Sequence, residues 1–276
     1  MTTKALRVLL EGLIDYAGLF PPAALSMQDA VRNYARYRDG EYAWALGKFV
    51  VPAERAAEVP AEFPLSVLGL SVIGDRLSVT ASQAELSPTT GNRQPTTFEV
   101  KATTAADVAR IAAEADGHTV YVEIADLALL DAIAEHGLRA KIRTGGVTPD
   151  AFPAIGNVAK FLRACKEKHV AFKATAGLHH PLRCVKALTY ESDAPTGTMH
   201  GFLNVFLAAA MVEHAEGILA EEDPHAFHFD DEGVTWRAQR VSTETLARTR
   251  KTFATSFGSC SFEEPIGDLK ALRLLD

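Results

Sequence analysis

The chain has 276 residues, 47% of them hydrophobic, enough for one large core; a single β/α barrel needs about 250 residues. Its 28 basic side chains against 35 acidic ones give a net charge of −7, and Lys and Arg are scattered rather than blocked, which excludes nucleic acid as a partner. Cys165, Cys184 and Cys260 form an odd set without metal-type spacing, as expected of free thiols in a reducing compartment.

The longest apolar stretch, 201–212, contains Asn204 and is too short to span a bilayer. Residues 1–18 lack a cleavage-site pattern, and Glu11 interrupts their apolar run. The expectation is a soluble cytoplasmic protein with no membrane partner, its homo-oligomeric state left open.

In chain order, residues 13–20 read as a first strand bearing Asp15, and Ser26 caps a helix that Gly40 closes. Residues 44–51 read as a second strand and 65–73 as a third, followed by an irregular loop or weak helix over 75–95. From Thr96 the rhythm is regular. Strand 96–102 leads to a helix capped by Thr103 or Thr104, with Asp107 in its first turn. Strand 120–125 leads to a helix over 127–136 that ends at Gly137. Strand 139–146 leads to a helix with Thr148 at its cap and Pro149 at its first position, running to Lys168, and strand 170–177 follows. Beyond Gly177 come a buried helix over 201–214, a hairpin over 227–236, an amphipathic helix over 242–257, a last strand end over 257–262 and a closing helix over 264–275. Strands alternating with helices of this length give parallel βαβ units. The expected fold is therefore α/β, a single-domain (β/α)8 TIM-type barrel over 1–276, with residues 178–256 as an irregular insertion of helix and hairpin.

Four of these strands carry charge where a strand should carry core. Glu99 and Lys101 alternate with Phe98, Val100 and Ala102; Lys141 and Arg143 with Ala140 and Ile142; Lys173 and Thr175 with Phe172 and Ala174; Tyr121 and Glu123 share a face of the fourth. If the apolar faces pack under helices, the charged faces look into the closed sheet, where ions are costly unless paired or used in chemistry. Catalytic groups of such barrels sit at the C-terminal strand ends, and these residues lie near them. Two lysines beside an arginine point to an amine nucleophile, because burial and neighbouring cations lower a lysine pKa from about 10.4. A carboxylate, Glu99 or Glu123, then moves protons.

The segment from Lys141 through Ile142, Arg143 and Thr144 to Gly145 resembles the K-x-x-T-G strand of the deoxyribose-phosphate aldolases, and residues 172–177 resemble their next lysine strand. The resemblance implies that Lys141 forms a Schiff base while Lys173 lowers its pKa, and that Ser259, in the Gly/Ser turn 258–261, lies where backbone amides hold a substrate phosphate. Three departures stand out: no strand carries the family's acid/base aspartate, Arg143 replaces a small polar residue, and the interval between Gly177 and Phe257 is much longer than the family's.

The expected function is an aldolase-like carbon–carbon lyase acting on a small anionic carbonyl substrate without a cofactor. Lys141, Lys173, Glu123 and Glu99 are its candidate catalytic residues, and Arg143, Lys101, Thr175, His179, His180, Asp15 and Ser259 its candidate binding residues. One alternative is a lyase or isomerase whose divalent metal ion is held by Glu99, Glu123, His179 and His180, imidazole and carboxylate being suitable ligands. Another is a non-catalytic barrel that binds a small ligand, its charges paired for structure.

Overall fold

The computed structural model describes residues 2–68 and 97–276. Seven strands arise in chain order: β1 (Ile14–Tyr16), β2 (Leu46–Pro52), β3 (Leu65–Leu68), β4 (Thr97–Lys101), β5 (Thr119–Glu123), β6 (Arg139–Arg143) and β7 (Phe172–Thr175). Then come β8 (Cys184–Ala187) and β9 (Thr196–Met199), β10 (Phe227–Phe229), β11 (Gly233–Trp236) and β12 (Gln239–Ser242), and last β13 (Ala254–Ser259). Strands β1–β13–β7–β6–β5–β4–β3–β2 close into one barrel, every neighbouring pair parallel. The fold is thus a (β/α)8 barrel. Between β7 and β13, β8–β9 and β10–β11–β12 form two small sheets of their own.

The helices among the described residues are α1 (Lys4–Leu10), α2 (Met27–Arg38), α3 (Ala105–Glu114), α4 (Leu130–Glu135), α5 (Ile155–Glu167), α6 (Phe202–Ala210), α7 (Ala215–Ala220), α8 (Thr243–Thr252) and α9 (Glu263–Ala271). Local chemistry sets their starts. Ser26 Oγ accepts the Asp29 N–H, and Thr104 with Asp107 forms a capping box at α3.

Apolar residues on the outward strand faces build the core beneath the helices. Tyr16 packs edge-on against Tyr37 and Phe49; Phe172 lies between Phe161 and Phe253; Phe257 stacks on Phe202 of α6. This frees the opposite strand faces for polar groups. Among the described residues, no helix is long and apolar enough to cross a membrane.

Several boundaries differ from the sequence reading. The expected helix from Thr148 to Lys168 is two pieces, a 3-10 turn at Pro149–Ala151 and then α5. Pro153 is the cause, because it pushes Phe152 into extended backbone (φ −91°, ψ 115°). The helix expected to run to Phe257 stops at Thr252, and the last strand is Ala254–Ser259 rather than 257–262. Ala254 and Phe257 face the core three residues apart because β13 has a register irregularity between them. The expected hairpin over 227–236 gains a third strand, β12. The first strand is only Ile14–Tyr16. The part of the third strand beyond Leu68 and the segment 75–95 lie outside the described residues.

Candidate active site

Lys141 and Lys173 are register partners on β6 and β7, and Glu123 is the register partner of Lys141 on β5. The period of two sends all three inward, together with Glu99 of β4 and Asp15 of β1. Asp15, Glu99, Lys141 and Lys173 are each no more than 3% exposed. Ions so buried persist only when paired, and here signs alternate along a chain of contacts. Asp15 Oδ2 lies 2.7 Å from Lys173 Nζ; Lys173 Nζ lies 2.5 Å from Glu99 Oε1; Glu99 Oε2 lies 2.8 Å from Lys141 Nζ; Lys141 Nζ lies 2.9 Å from Glu123 Oε2. Serine hydroxyls take up remaining acceptor capacity: Ser66 donates to Glu99 Oε1 at 2.6 Å and Ser256 to Asp15 Oδ2 at 2.8 Å.

The two lysines are held differently. The Lys173 ammonium donates hydrogen bonds to Asp15 and Glu99 and reaches Ser66 Oγ at 3.5 Å. Lys141 has its two carboxylates at ion-pair distance, yet Glu123 Oε2 has no hydrogen-bond partner among the described residues. Burial alone would depress Lys173, but Asp15 and then Glu99 reverse this and hold it above the ordinary lysine range. Burial likewise pushes the Glu99 carboxyl up, and the charges of Lys173 and Lys141 overturn it, leaving Glu99 well below the usual carboxylate range. Glu123 is lowered in the same way, burial being outweighed by Lys141 and Arg143.

A cavity of about 330 Å³ opens above this chain at the C-terminal strand ends. Glu99, Lys141, Arg143, Thr175, His179 and Cys260 line it, whereas Lys173 and Asp15 lie below its floor. Of the two lysines, only Lys141 is presented to a ligand. Arg143, which lines the cavity, and Lys101, which does not, each reach Glu123 Oε1, at 3.3 Å and 3.5 Å. The loops after β6 and β7 lock together beside Lys141. The Thr144 hydroxyl donates to the Thr175 and Ala176 carbonyls, and a Cβ on Gly145 would sit 2.9 Å from Gly177 Cα, so neither loop has room for a side chain there.

The histidines turn to α9 rather than to the carboxylates. His179 Nδ1 pairs with Glu264 Oε2 at 3.1 Å and His180 Nδ1 with Asp268 Oδ2 at 2.6 Å. Burial works against a charge on His179, but its contacts with Cys260 and Glu264 prevail and raise its pKa to about 9. His179 thus adds a cation to the cavity wall at neutral pH. His180 is not part of that wall. The four residues of the alternative metal set are engaged elsewhere, Glu99 and Glu123 by lysines and the histidines by α9. Among the described residues, no group of three or more His, Cys, Asp and Glu is arranged to hold a metal ion. Ser259 is also outside the wall: its carbonyl accepts the Ala17 N–H, while its neighbours Gly258 and Cys260 face the cavity.

Sequence reasoning missed three members of the interior. Ser66 and Ser256 hydrogen-bond the buried carboxylates, as described above. Lys48 of β2 shares a strand face with Val50, which lines the cavity. Its backbone N–H donates to Asp15 Oδ1 at 2.7 Å, and burial, only partly offset by Asp15, lowers its ammonium below the ordinary range. The signal was a single charge in the apolar run of β2. A side chain at Gly47 would collide with Asp15 Oδ1, so the glycine lets Asp15 approach the β2 backbone.

No protein-family model matches the chain, and no curated protein matches it. Among solved structures, the chain is similar to a FabK mutant from Thermotoga maritima, at 14% identity and a TM-score of 0.41, over 66% of this chain and 59% of that one. It is also similar to lysine/ornithine decarboxylase complexed with cadaverine from Vibrio vulnificus, at 12% identity and a TM-score of 0.35, over 62% of this chain and 48% of that one. The chain thus matches less than two thirds of the length of either, and its barrel stands on its own strand order.

Proposed function

We propose that the protein is an aldolase-like carbon–carbon lyase whose Lys141 forms a Schiff base with a small anionic carbonyl substrate. One observation carries this reading: of two register-paired lysines, Lys141 alone faces the cavity, with a carboxylate within 3 Å on either side. The likeness of residues 141–145 and 172–177 to the lysine strands of deoxyribose-phosphate aldolases supports it.

In this mechanism Lys141 gives a proton to Glu123 and attacks the carbonyl carbon. Glu123 returns that proton to the carbinolamine hydroxyl, which leaves as water, and an iminium remains. Glu99 takes the proton of the substrate's β-hydroxyl. The adjacent carbon–carbon bond breaks, its electron pair enters the iminium to form an enamine, and an aldehyde departs. Glu99 protonates the enamine carbon, and water hydrolyses the iminium to release the second carbonyl product. Lys173, fixed as a cation by Asp15 and Glu99, positions Glu99. His179 and Arg143 supply positive charge for the substrate anion.

A second reading, a non-catalytic barrel that binds a small anion, draws on the alternation of signs from Asp15 to Glu123, which gives every buried charge of that chain a partner without a ligand. Proton exchange separates the two. Acetaldehyde, pyruvate and dihydroxyacetone phosphate are incubated with the protein in deuterated water and followed by NMR. Enamine formation exchanges the proton α to the carbonyl of at least one of them, and Lys141→Arg abolishes the exchange. Wild-type protein that exchanges none contradicts the lyase reading.

A further inference from the structure

A second and larger cavity, of about 720 Å³, lies beside the first, between the ends of β4, β5 and β6 and the outer face of α5. Arg143 lines both cavities, so they meet at its side chain. The second cavity has a mixed lining. Ile124, Leu127, Ile142 and Phe161 give it an apolar wall, and three cations, Lys101, Arg143 and Lys160, stand around it.

Two carboxylates, Glu123 and Asp126, share the lining. Asp126 accepts the Ala128 N–H at the start of a short 3-10 turn. Glu123 alone serves three cations: Lys141 at 2.9 Å, Arg143 at 3.3 Å and Lys101 at 3.5 Å. The lining sets three cations, Lys101, Arg143 and Lys160, against two carboxylates, Glu123 and Asp126, and Glu123 is shared with Lys141, so the rim keeps surplus positive charge. Lys160, exposed on α5 across the cavity, extends it. Cations converging on an apolar trough beside a reactive site recognise an anionic group carried on a short hydrocarbon chain.

We infer that this outer cavity binds the distal anionic group, a carboxylate or phosphate, of an elongated substrate whose carbonyl reaches Lys141 in the inner cavity. The inference rests on the proposed Schiff-base reading and names the substrate class of that site. Arg143 is the shared wall: it leaves Glu123 for the ligand's anion as the chain passes. Lys101 and Lys160 fix the far end and so determine chain length and charge preference.

Two measurements test it and fail independently of each other. In the first, glutarate, inorganic phosphate and neutral 1,5-pentanediol are titrated into wild-type protein and into Lys160→Glu by calorimetry, with no chemistry required. Wild type binds one of the two anions and not the diol, the preferred anion identifying carboxylate or phosphate as the ligand group. Lys160→Glu, an exposed substitution that does not touch the core, weakens that binding about ten-fold or more. In the second, 5-oxopentanoate and pentanal are trapped on the protein with borohydride. The charged aldehyde half-saturates at lower concentration than the neutral one, and Lys160→Glu collapses that ratio. Anion binding and a charge preference that Lys160→Glu leaves untouched overturn the outer site even if Lys141 is trapped, and so does the lack of any anion binding. Absence of trapping with either aldehyde, while Lys160→Glu still weakens anion binding, sinks the Schiff base and leaves the outer site standing.

Discussion

Lys141 and Lys173 stand side by side as register partners, and both reach Glu99, one at each carboxylate oxygen (2.8 Å and 2.5 Å). Glu99 is therefore the pivot of the interior: it bridges two buried ammoniums, one at each oxygen. Replacing it with glutamine keeps the shape and removes the charge. Breaking a buried ion pair from one side costs about 3–5 kcal/mol, and Glu99→Gln is expected to lose that much stability in urea denaturation. Lys173→Met leaves the buried Asp15 without its cation, so it should not rescue Glu99→Gln, and a double-mutant cycle of the two measures the Glu99–Lys173 coupling. Equal stability of wild type and Glu99→Gln contradicts the pairing.

The same pairs set the pH limits of stability. Glu99 titrates below its ordinary value of 4.5 in the folded chain, so its contribution is present above about that pH and is lost as pH falls toward the folded-state value. Lys173 is raised above its ordinary 10.5, so its contribution is present below that pH and is lost as pH rises through the higher folded-state value. Stability measured against pH should fall at both ends, and Glu99→Gln should flatten the acid limb.

His179 gives a third step. Its pKa, raised from 6.5 to about 9, makes its link to Glu264 stabilising below 6.5 and progressively weaker as pH climbs to about 9. His179→Gln should remove the decline between those values. A decline that persists in the variant assigns the step to another group.

Asn204 holds the chain that leads to the small sheets. Its side-chain oxygen accepts the Arg183 N–H, and its amide donates to the Ile218 and Glu221 carbonyls, all within 3 Å. Asn204→Leu strands the Arg183 N–H and the Glu221 carbonyl, while the Ile218 carbonyl keeps the Glu221 N–H. An unmet buried group costs about 1–3 kcal/mol, so the variant should unfold at distinctly lower urea concentration, and an unchanged midpoint refutes the role.

The barrel was legible because strand periodicity exposes a charge placed opposite apolar neighbours. Glu99, Glu123, Lys141 and Lys173 share the inward face for that reason. Asp15 appeared only as a candidate binding residue, since its partner Lys173 is 158 residues away in sequence and no local pattern links them. The partners of the histidines were not legible, because adjacent residues in a loop carry no periodicity and the acceptors that draw them lie on α9. Pro149 looked like a helix start, while the break at Pro153 depends on the backbone it imposes on Phe152.

The central claim is that Lys141 is the amine that meets the substrate. Incubation of the protein with small anionic carbonyl compounds and borohydride, followed by peptide mass analysis, tests it most directly. The account predicts a reduced adduct on Lys141 that Lys141→Arg eliminates. An adduct confined to Lys173 or Lys48, or none on any lysine, contradicts it.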